Sequence, residues 1–184
     1  MTYEMDIAGL KRDLPLCRVS DELYIGAFVM FGDVELTVHC ASELLKRAPE
    51  YDYIIAPEAK AIPLLYEMAR QSGADKYFLA RKGAKAYMTG VFEVEVKSIT
   101  TMSIQKLVID TADAEQIRGK RMLIVDDVIS TGESLHAMEE LVTKAGGIIA
   151  GKMAVLAEGD AQARHDIICL APLPLFNPDG TVKE

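Results

Sequence analysis

Apolar and polar positions in the middle of the chain follow two different periods. Four short apolar runs predict buried β-strands, and an amphipathic stretch with helical spacing follows the first and the third of them. The predicted strands span 51–58, 76–82, 121–127 and 148–158, and the predicted helices span 61–73 and 132–147. Because strands alternate with helices, the pattern predicts an α/β fold with a doubly wound, mainly parallel sheet.

Three further parts of the chain break this alternation. Between Gly83 and Asp110 the side chains alternate apolar with polar, which predicts an antiparallel excursion with a flexible tip. Near the two chain ends, residues 23–31 and 166–176 form short apolar runs that contain Gly or Pro. We expect these two runs to pair into a small cap over one edge of the sheet.

The length and composition fit one globular domain. The 184 residues are 50% hydrophobic and 26% charged, and no repeat or linker divides them. We therefore expect a single domain over residues 1–184, with a core at about 35–158 and a cap from 1–34 and 159–184.

Charge and cysteine content argue against several classes of protein. The formal net charge is −8 and the pI is near 5.0, so the chain has no general attraction for nucleic-acid phosphates. The three cysteines lie far apart and match neither a disulfide framework nor a zinc site. No apolar run approaches the roughly 20 residues that a bilayer requires, and the first residues lack the apolar core of a signal peptide. We expect a cytoplasmic protein without nucleic-acid or membrane partners.

The segment 121–135 carries the clearest chemistry. An apolar strand is followed by two adjacent carboxylates, Asp126 and Asp127, at the edge of the sheet where ligands of parallel sheets bind. A short loop then opens a helix and offers backbone N–H groups and hydroxyls to an anion. The loop residues are Ser130, Thr131, Gly132, Glu133 and Ser134. A sugar phosphate would satisfy both parts, because its hydroxyls donate to carboxylates while its phosphate occupies the loop.

This segment resembles the signature of type I phosphoribosyltransferases. In that family two acidic residues hold the ribose 2'- and 3'-hydroxyls, and the following loop binds the 5'-phosphate. The resemblance implies an enzyme that uses phosphoribosyl pyrophosphate and Mg²⁺. Glu133 is a departure, since many purine-salvage members have glycine there. As an alternative, the acids only end a strand and Ser130 only caps a helix.

A second stretch, Glu58-Ala59-Lys60, follows the first predicted strand. It resembles the family's pyrophosphate loop, which implies that Lys60 and backbone amides meet the pyrophosphate while Glu58 orients the loop. The alternative is an acidic helix start with a solvated lysine.

A basic cluster follows the second predicted strand. Arg81, Lys82, Lys85 and Tyr87 lie where adenine phosphoribosyltransferase-like enzymes lead into a flexible loop, here 83–107, that closes over the reacting centre. The resemblance implies that Arg81 helps to neutralise the pyrophosphate, whereas Lys85 alone fits a solvated surface role better. The segment 100–102 departs from the family pattern, and Glu95 is the nearest match to the loop acid of adenine enzymes.

The resemblance also implies a mechanism and an assembly. Asp126 and Asp127 would favour the positive charge that develops on the sugar, while Lys60 and Arg81 stabilise the departing pyrophosphate. Mg²⁺ would be held mainly by the substrate, with Asp126 or Asp127 as a ligand through water. In adenine phosphoribosyltransferase-like enzymes, residues at the closing loop are often supplied across a dimer interface, so the resemblance implies a homodimer.

Base choice depends on the fourth predicted strand. Relatives that act on 6-oxopurines place a lysine after this strand, whereas residues 155–160 contain none. The resemblance therefore favours adenine over hypoxanthine, guanine or xanthine. Phe28 and Val29 are candidates to pack on the base, and a core role for them is equally compatible with the sequence.

Two non-enzymatic alternatives remain at this point. The first is a regulator that senses phosphoribosyl pyrophosphate, which the acidic charge and the lack of a helix-turn-helix pattern argue against. The second is an inactive scaffold, which would leave the ribose, phosphate and pyrophosphate elements without a use.

Overall fold

The computed structural model describes residues 1–97 and 104–183, which form eleven strands, four α-helices and a 3₁₀ helix. The strands are β1 Thr2–Ile7, β2 Leu10–Arg18, β3 Tyr24–Gly26, β4 Tyr53–Pro57, β5 Phe78–Ala80, β6 Val91–Lys97, β7 Ile104–Asp110, β8 Arg121–Ile129, β9 Ile148–Glu158, β10 Ile168–Leu173 and β11 Leu175–Phe176. The helices are α1 Val34–Leu45, α2 Ile62–Ser72, α3 Thr111–Ile117 and α4 Glu133–Lys144, and the 3₁₀ helix is Gly159–Ala163. None of the helices described in these two ranges is long and apolar enough to cross a membrane.

The central sheet is parallel throughout, with the strand order β10-β9-β8-β4-β5. This confirms the predicted doubly wound α/β fold. One boundary needs correction: part of the segment assigned to the cap, Ile168–Leu173, is the fifth strand of the central sheet. The core therefore extends well beyond residue 158.

The side chains of β8 show why its sequence is a continuous apolar run. Leu123 and Val125 point to one face and join the cluster that includes α1 and α2. Met122 and Ile124 point to the other face and join the cluster that includes α3 and α4. Successive side chains of a strand face opposite sides, so a strand covered on both faces is apolar at every position.

The chain ends form a second, four-stranded sheet in the order β1-β2-β3-β11. The two ends meet where β11 pairs with β3, through the partners Leu175 with Ile25 and Phe176 with Tyr24. The prediction that both ends contribute to a cap is confirmed for these strands.

The predicted antiparallel excursion is the pair β6 and β7, which are matched from Val91 with Asp110 to Lys97 with Ile104. A bridge between Arg81 and Val108 ties this pair to the end of β5. The predicted departure at 100–102 lies outside the described residues.

A glycine at the start of β9 offers a test of the packing. A Cβ on Gly147 would lie 2.8 Å from Ile117 Cγ2 and 2.9 Å from Val142 Cγ1. Overpacking of this kind typically costs about 1–3 kcal/mol, so Gly147→Ala should lower the free energy of unfolding measured in urea by that amount. Gly83→Ala is the matched control, because nothing lies within 4 Å of its Cβ position. Equal stability of the two variants would contradict the packing described here.

Candidate active site

The carboxyl ends of β4, β5 and β8 surround a groove of about 400 Å³. Many of the residues singled out from the sequence line this groove. They are Glu58, Ala59, Lys60, Lys82, Asp126, Asp127 and Ser134. The fold therefore brings the acidic pair, the end of the phosphate loop and the predicted pyrophosphate loop to one place.

The acidic pair lies on a part of β8 that extends past its neighbour. The last pairing between β4 and β8 joins Ile55 to Ile124, whereas β8 pairs with β9 as far as Ile129. Asp126 and Asp127 are thus inside the strand, and the predicted strand end at 127 was two residues too early. Since β4 no longer pairs with β8 beyond Ile55, this edge of β8 is open to the groove.

Asp127 is the more deeply buried of the two acids, with 2% of its surface exposed. Its Oδ2 lies 2.7 Å from Nζ of Lys60, which forms an ion pair with it. The contact lacks hydrogen-bond alignment, so Oδ2 has no aligned donor among the described residues. A buried carboxylate oxygen in this state can accept a further hydrogen bond or meet a cation.

Asp126 is held differently. Its Oδ1 accepts a hydrogen bond of 2.8 Å from the backbone N–H of Asp127. Burial, together with the neighbouring Asp127 carboxylate, raises the pKa of Asp126 well above its ordinary value of 3.8. Two adjacent acids in this state favour a ligand that donates hydrogen bonds or brings positive charge.

The pyrophosphate side of the groove is organised by Glu58. Its carboxylate accepts hydrogen bonds from Arg81 Nε at 2.6 Å and from the Lys82 backbone N–H at 2.5 Å. Burial opposes ionisation of Glu58, but these two donors outweigh it and lower the pKa. Arg81 also donates from Nη1 to the Tyr87 hydroxyl at 2.7 Å. The Arg81 guanidinium is therefore fixed between Glu58 and Tyr87, and Lys85 is exposed nearby.

The predicted phosphate loop joins β8 to α4. Gly132, at φ 81°, precedes the first residue of α4, and no side chain caps the helix. Thr131 Oγ1 accepts only a long hydrogen bond of 3.4 Å, from the backbone N–H of Glu133. The first turn of α4 thus presents backbone N–H groups and the positive end of the helix dipole to an anion.

Arg164 is a loop neighbour that the sequence did not reveal. A Cβ on Gly132 would lie 2.8 Å from Arg164 Nη1. The same guanidinium donates from Nε and Nη2 to Asp166, at 2.9 and 2.6 Å. No motif surrounds Arg164 in the sequence, and only the turn after β9 brings it to the loop.

A second groove, of about 380 Å³, lies beside the phosphate loop and below the cap. Its lining is Val19, Leu23, Ile25, Ser130, Thr131, Glu158, Gly159, Asp160 and Leu175. Among these, Glu158 was missed as a candidate, although it is the last residue of the core strand β9.

Phe28 and Val29 do not line either of these grooves. Phe28 is 4% exposed and belongs to the core, Val29 is 52% exposed, and both line a separate groove beside Arg12. The predicted contact of these two residues with the base stays a prediction.

Comparison with known proteins identifies the family of the chain. The family model described as a phosphoribosyl transferase domain matches residues 38–171. The chain belongs to the phosphoribosyltransferase family. The match begins within α1 and ends within β10, so it includes four strands of the central sheet and part of the fifth.

Relatives of this phosphoribosyltransferase extend the match to almost the whole chain. An adenine phosphoribosyltransferase from Petrotoga mobilis is 25% identical over 189 residues, covering 98% of this chain and 95% of that protein. One from Leuconostoc citreum is 31% identical over 124 residues, covering 64% of this chain and 63% of that protein. The crystal structure of the adenine phosphoribosyltransferase from Thermoanaerobacter pseudethanolicus shares the fold, with a TM-score of 0.66, 22% identity and coverage of 94% and 95%.

The pKa of Asp126 is raised, so its ionised form destabilises the fold of this phosphoribosyltransferase. Removing the charge should therefore increase stability. Ionisation costs more in the folded chain than in the unfolded one, so the wild type loses stability as the pH rises above 3.8. Asp126→Asn avoids this loss and should be more stable at pH 7 by about 1 kcal/mol, with no gain at pH 4.

Urea unfolding between pH 4 and pH 8 measures this effect on the free energy of unfolding. Asp166→Asn is a control that should change that free energy in the opposite direction, lowering it at pH 7. The hydrogen bonds from Arg164 and Lys152 lower the pKa of Asp166, so its ionised form stabilises the fold at neutral pH and that contribution is lost in acid. Loss of stability in Asp126→Asn at pH 7 would contradict the account of the acidic pair.

Proposed function

We propose that this phosphoribosyltransferase transfers the 5-phosphoribosyl group of phosphoribosyl pyrophosphate to a purine base, with adenine preferred. The observation that carries the proposal is the acidic pair directly before the open N-terminus of α4, with Lys60 across the same groove. One phosphoribosyl donor can bind all three: its hydroxyls suit the carboxylates, its 5'-phosphate suits the helix N-terminus, and its pyrophosphate suits Lys60.

The two ends of the donor require opposite environments. Asp126 and Asp127 accept hydrogen bonds from the ribose 2'- and 3'-hydroxyls, and the amides of 130–134 bind the 5'-phosphate. On the far side of the sugar, Lys60 and the backbone of Ala59 face the pyrophosphate. Lys60 then leaves Asp127 Oδ2, to which it is paired in this structure, for a more highly charged partner.

In the transfer, the bond between the anomeric carbon and the pyrophosphate oxygen breaks, and the oxygen keeps both electrons. A ring nitrogen of the base forms the new bond to that carbon and releases its proton, which passes to the departing pyrophosphate. Positive charge develops on the sugar, where the carboxylates of Asp126 and Asp127 stabilise it. Lys60 and Arg81 offset the charge of the departing pyrophosphate, and the fixed position of Arg81 between Glu58 and Tyr87 reduces the reorganisation required.

The acidic pair also fits Mg²⁺, a cation that prefers oxygen ligands and keeps several waters. Within residues 1–97 and 104–183, no three His, Cys, Asp or Glu side chains form a cluster able to hold a metal ion. The ion would therefore be bound mainly by the substrate, with Asp126 or Asp127 as a ligand through water. When bound, it neutralises charge on the pyrophosphate.

Adenine is favoured by two observations. The relatives from Petrotoga mobilis and Leuconostoc citreum are named adenine phosphoribosyltransferases. The lining of the groove beside the phosphate loop contains no lysine or arginine to donate to an exocyclic oxygen. A 6-oxopurine would consequently lose the hydrogen bonds that its oxygen makes in water.

We also propose that the enzyme is a single-domain, cytoplasmic homodimer. A homodimer is supported by exposed apolar side chains around one groove between α1 and α2, among them Val34 and Tyr66. All three cysteines are free thiols, which suits a reducing compartment. A monomer in sedimentation equilibrium, or recovery outside the cytoplasm on cell fractionation, would contradict the respective part.

An assay with phosphoribosyl pyrophosphate, Mg²⁺ and one base at a time tests the proposed reaction. Adenine should be converted to its monophosphate faster than hypoxanthine, guanine, xanthine, orotate or uracil. Asp127→Asn should lower kcat by about 10²-fold or more, because it removes charge from the site where the cation develops. Asp52→Asn, which changes a carboxylate paired with Arg121 at the opposite end of the sheet, is the control and should keep full activity. No turnover with any base would refute the proposal.

A further inference from the structure

The groove beside the phosphate loop has a position suited to the base. It shares Ser130 and Thr131 with the loop proposed to bind the 5'-phosphate, so a ligand in it lies next to the sugar. The cap contributes apolar side chains, including Ile25 and Leu175, which can cover the face of a flat ring. The polar side of the same groove is formed by the end of β9.

Glu158, the last residue of β9, lines this groove and is 8% exposed. No lysine or arginine of the described residues lies within ion-pair distance of its carboxylate. The Ser130 hydroxyl is its neighbour, and burial raises the pKa of Glu158 more than the hydrogen bond with Ser130 and the more distant charge of Lys60 lower it. A buried carboxylate without a cation is costly unless a ligand supplies donors.

Another buried glutamate shows what a purely structural acid looks like in this chain. Glu67 is 7% exposed and accepts hydrogen bonds from Arg70 and from Gln71, one turn along the same helix. Its charge is satisfied within α2. Glu158 has no such set of partners and faces a groove.

The groove is rich in acceptors and poor in charged donors. Glu158 and Asp160 are its ionisable residues, and the hydroxyls of Ser130 and Thr131 can donate or accept. A 6-aminopurine presents an N–H group to such a site. A 6-oxopurine presents a lone pair, which a carboxylate repels.

We propose that Glu158 accepts a hydrogen bond from the exocyclic amino group of the base and thereby selects 6-aminopurines over 6-oxopurines. This inference rests on the proposed function and names the residue that sets its base preference. Glu158 acts in recognition and does not take part in the bond that breaks or the bond that forms.

The test is the ratio of kcat/KM for adenine to kcat/KM for hypoxanthine, at saturating phosphoribosyl pyrophosphate and Mg²⁺. Glu158→Gln keeps the shape of the side chain but removes the charge and adds a donor. The ratio should fall about tenfold or more, since hydrogen bonds to charged groups are the stronger ones. The KM for phosphoribosyl pyrophosphate should stay within about twofold of the wild type, which shows that the variant is folded.

Asp52→Asn is the control, because it removes a carboxylate that pairs with Arg121 at the opposite end of the sheet, away from the groove. It should leave the ratio unchanged. The wild type also offers a test without any substitution: adenine should exceed unsubstituted purine, which lacks the amino group, by a similar factor. That second measurement keeps the inference testable if Glu158→Gln does not fold.

The outcomes separate this inference from the proposed function. If the wild type converts adenine but Glu158→Gln keeps the same ratio, or if adenine and unsubstituted purine react equally well, only the role of Glu158 is overturned. A wild-type preference for a 6-oxopurine also overturns it. If the wild type converts no base, the proposed function fails first and this inference fails with it.

Discussion

The site depends on two adjacent carboxylates, Asp126 and Asp127, in the part of β8 that extends past its pairing with β4. Because β4 pairs with β8 only as far as Ile55, Asp126 and Asp127 of β8 open onto a groove while remaining largely covered by the fold. Such a pair needs cations or donors nearby. Lys60 supplies a cation, with its Nζ 2.7 Å from Oδ2 of Asp127. That oxygen has no aligned hydrogen-bond donor among the described residues, so a ligand can supply one.

The remaining parts of the site balance this negative charge in space. The open N-terminus of α4 lies directly after the acids along the chain, and Arg81 is held across the groove by Glu58. A ligand that fits must therefore carry hydroxyls between two anionic ends. This is why a phosphoribosyl donor suits the groove better than a simple phosphate or a neutral sugar.

The central strands could be predicted because burial on both faces makes them continuous apolar runs, as β8 shows. The strand β10 was missed because Pro172 interrupts its apolar run; β10 is an edge strand, where a missing N–H is tolerated. The true end of β8 at Ile129 is set by its pairing with β9. The local sequence of β8 carries no information about that pairing.

Rules about strand ends located Asp126, Asp127 and Glu58, since the carboxyl ends of parallel strands meet at one edge. Glu158 obeys the same rule but stands alone, and a single acid after an apolar run carries little signal. An apolar run fits a core and a pocket equally well, so the local sequence could not separate a core role of Phe28 from a contact with the base.

The central claim is that one ligand spans the acidic pair and the loop before α4. The most direct measurement is a crystal structure of the enzyme with phosphoribosyl pyrophosphate and Mg²⁺. The account predicts the 5'-phosphate on the amides of 130–134, the ribose hydroxyls on Asp126 and Asp127, and Lys60 turned toward the pyrophosphate. A donor bound with its phosphate elsewhere, or Lys60 still paired with Asp127 over a groove that excludes the sugar, would contradict it.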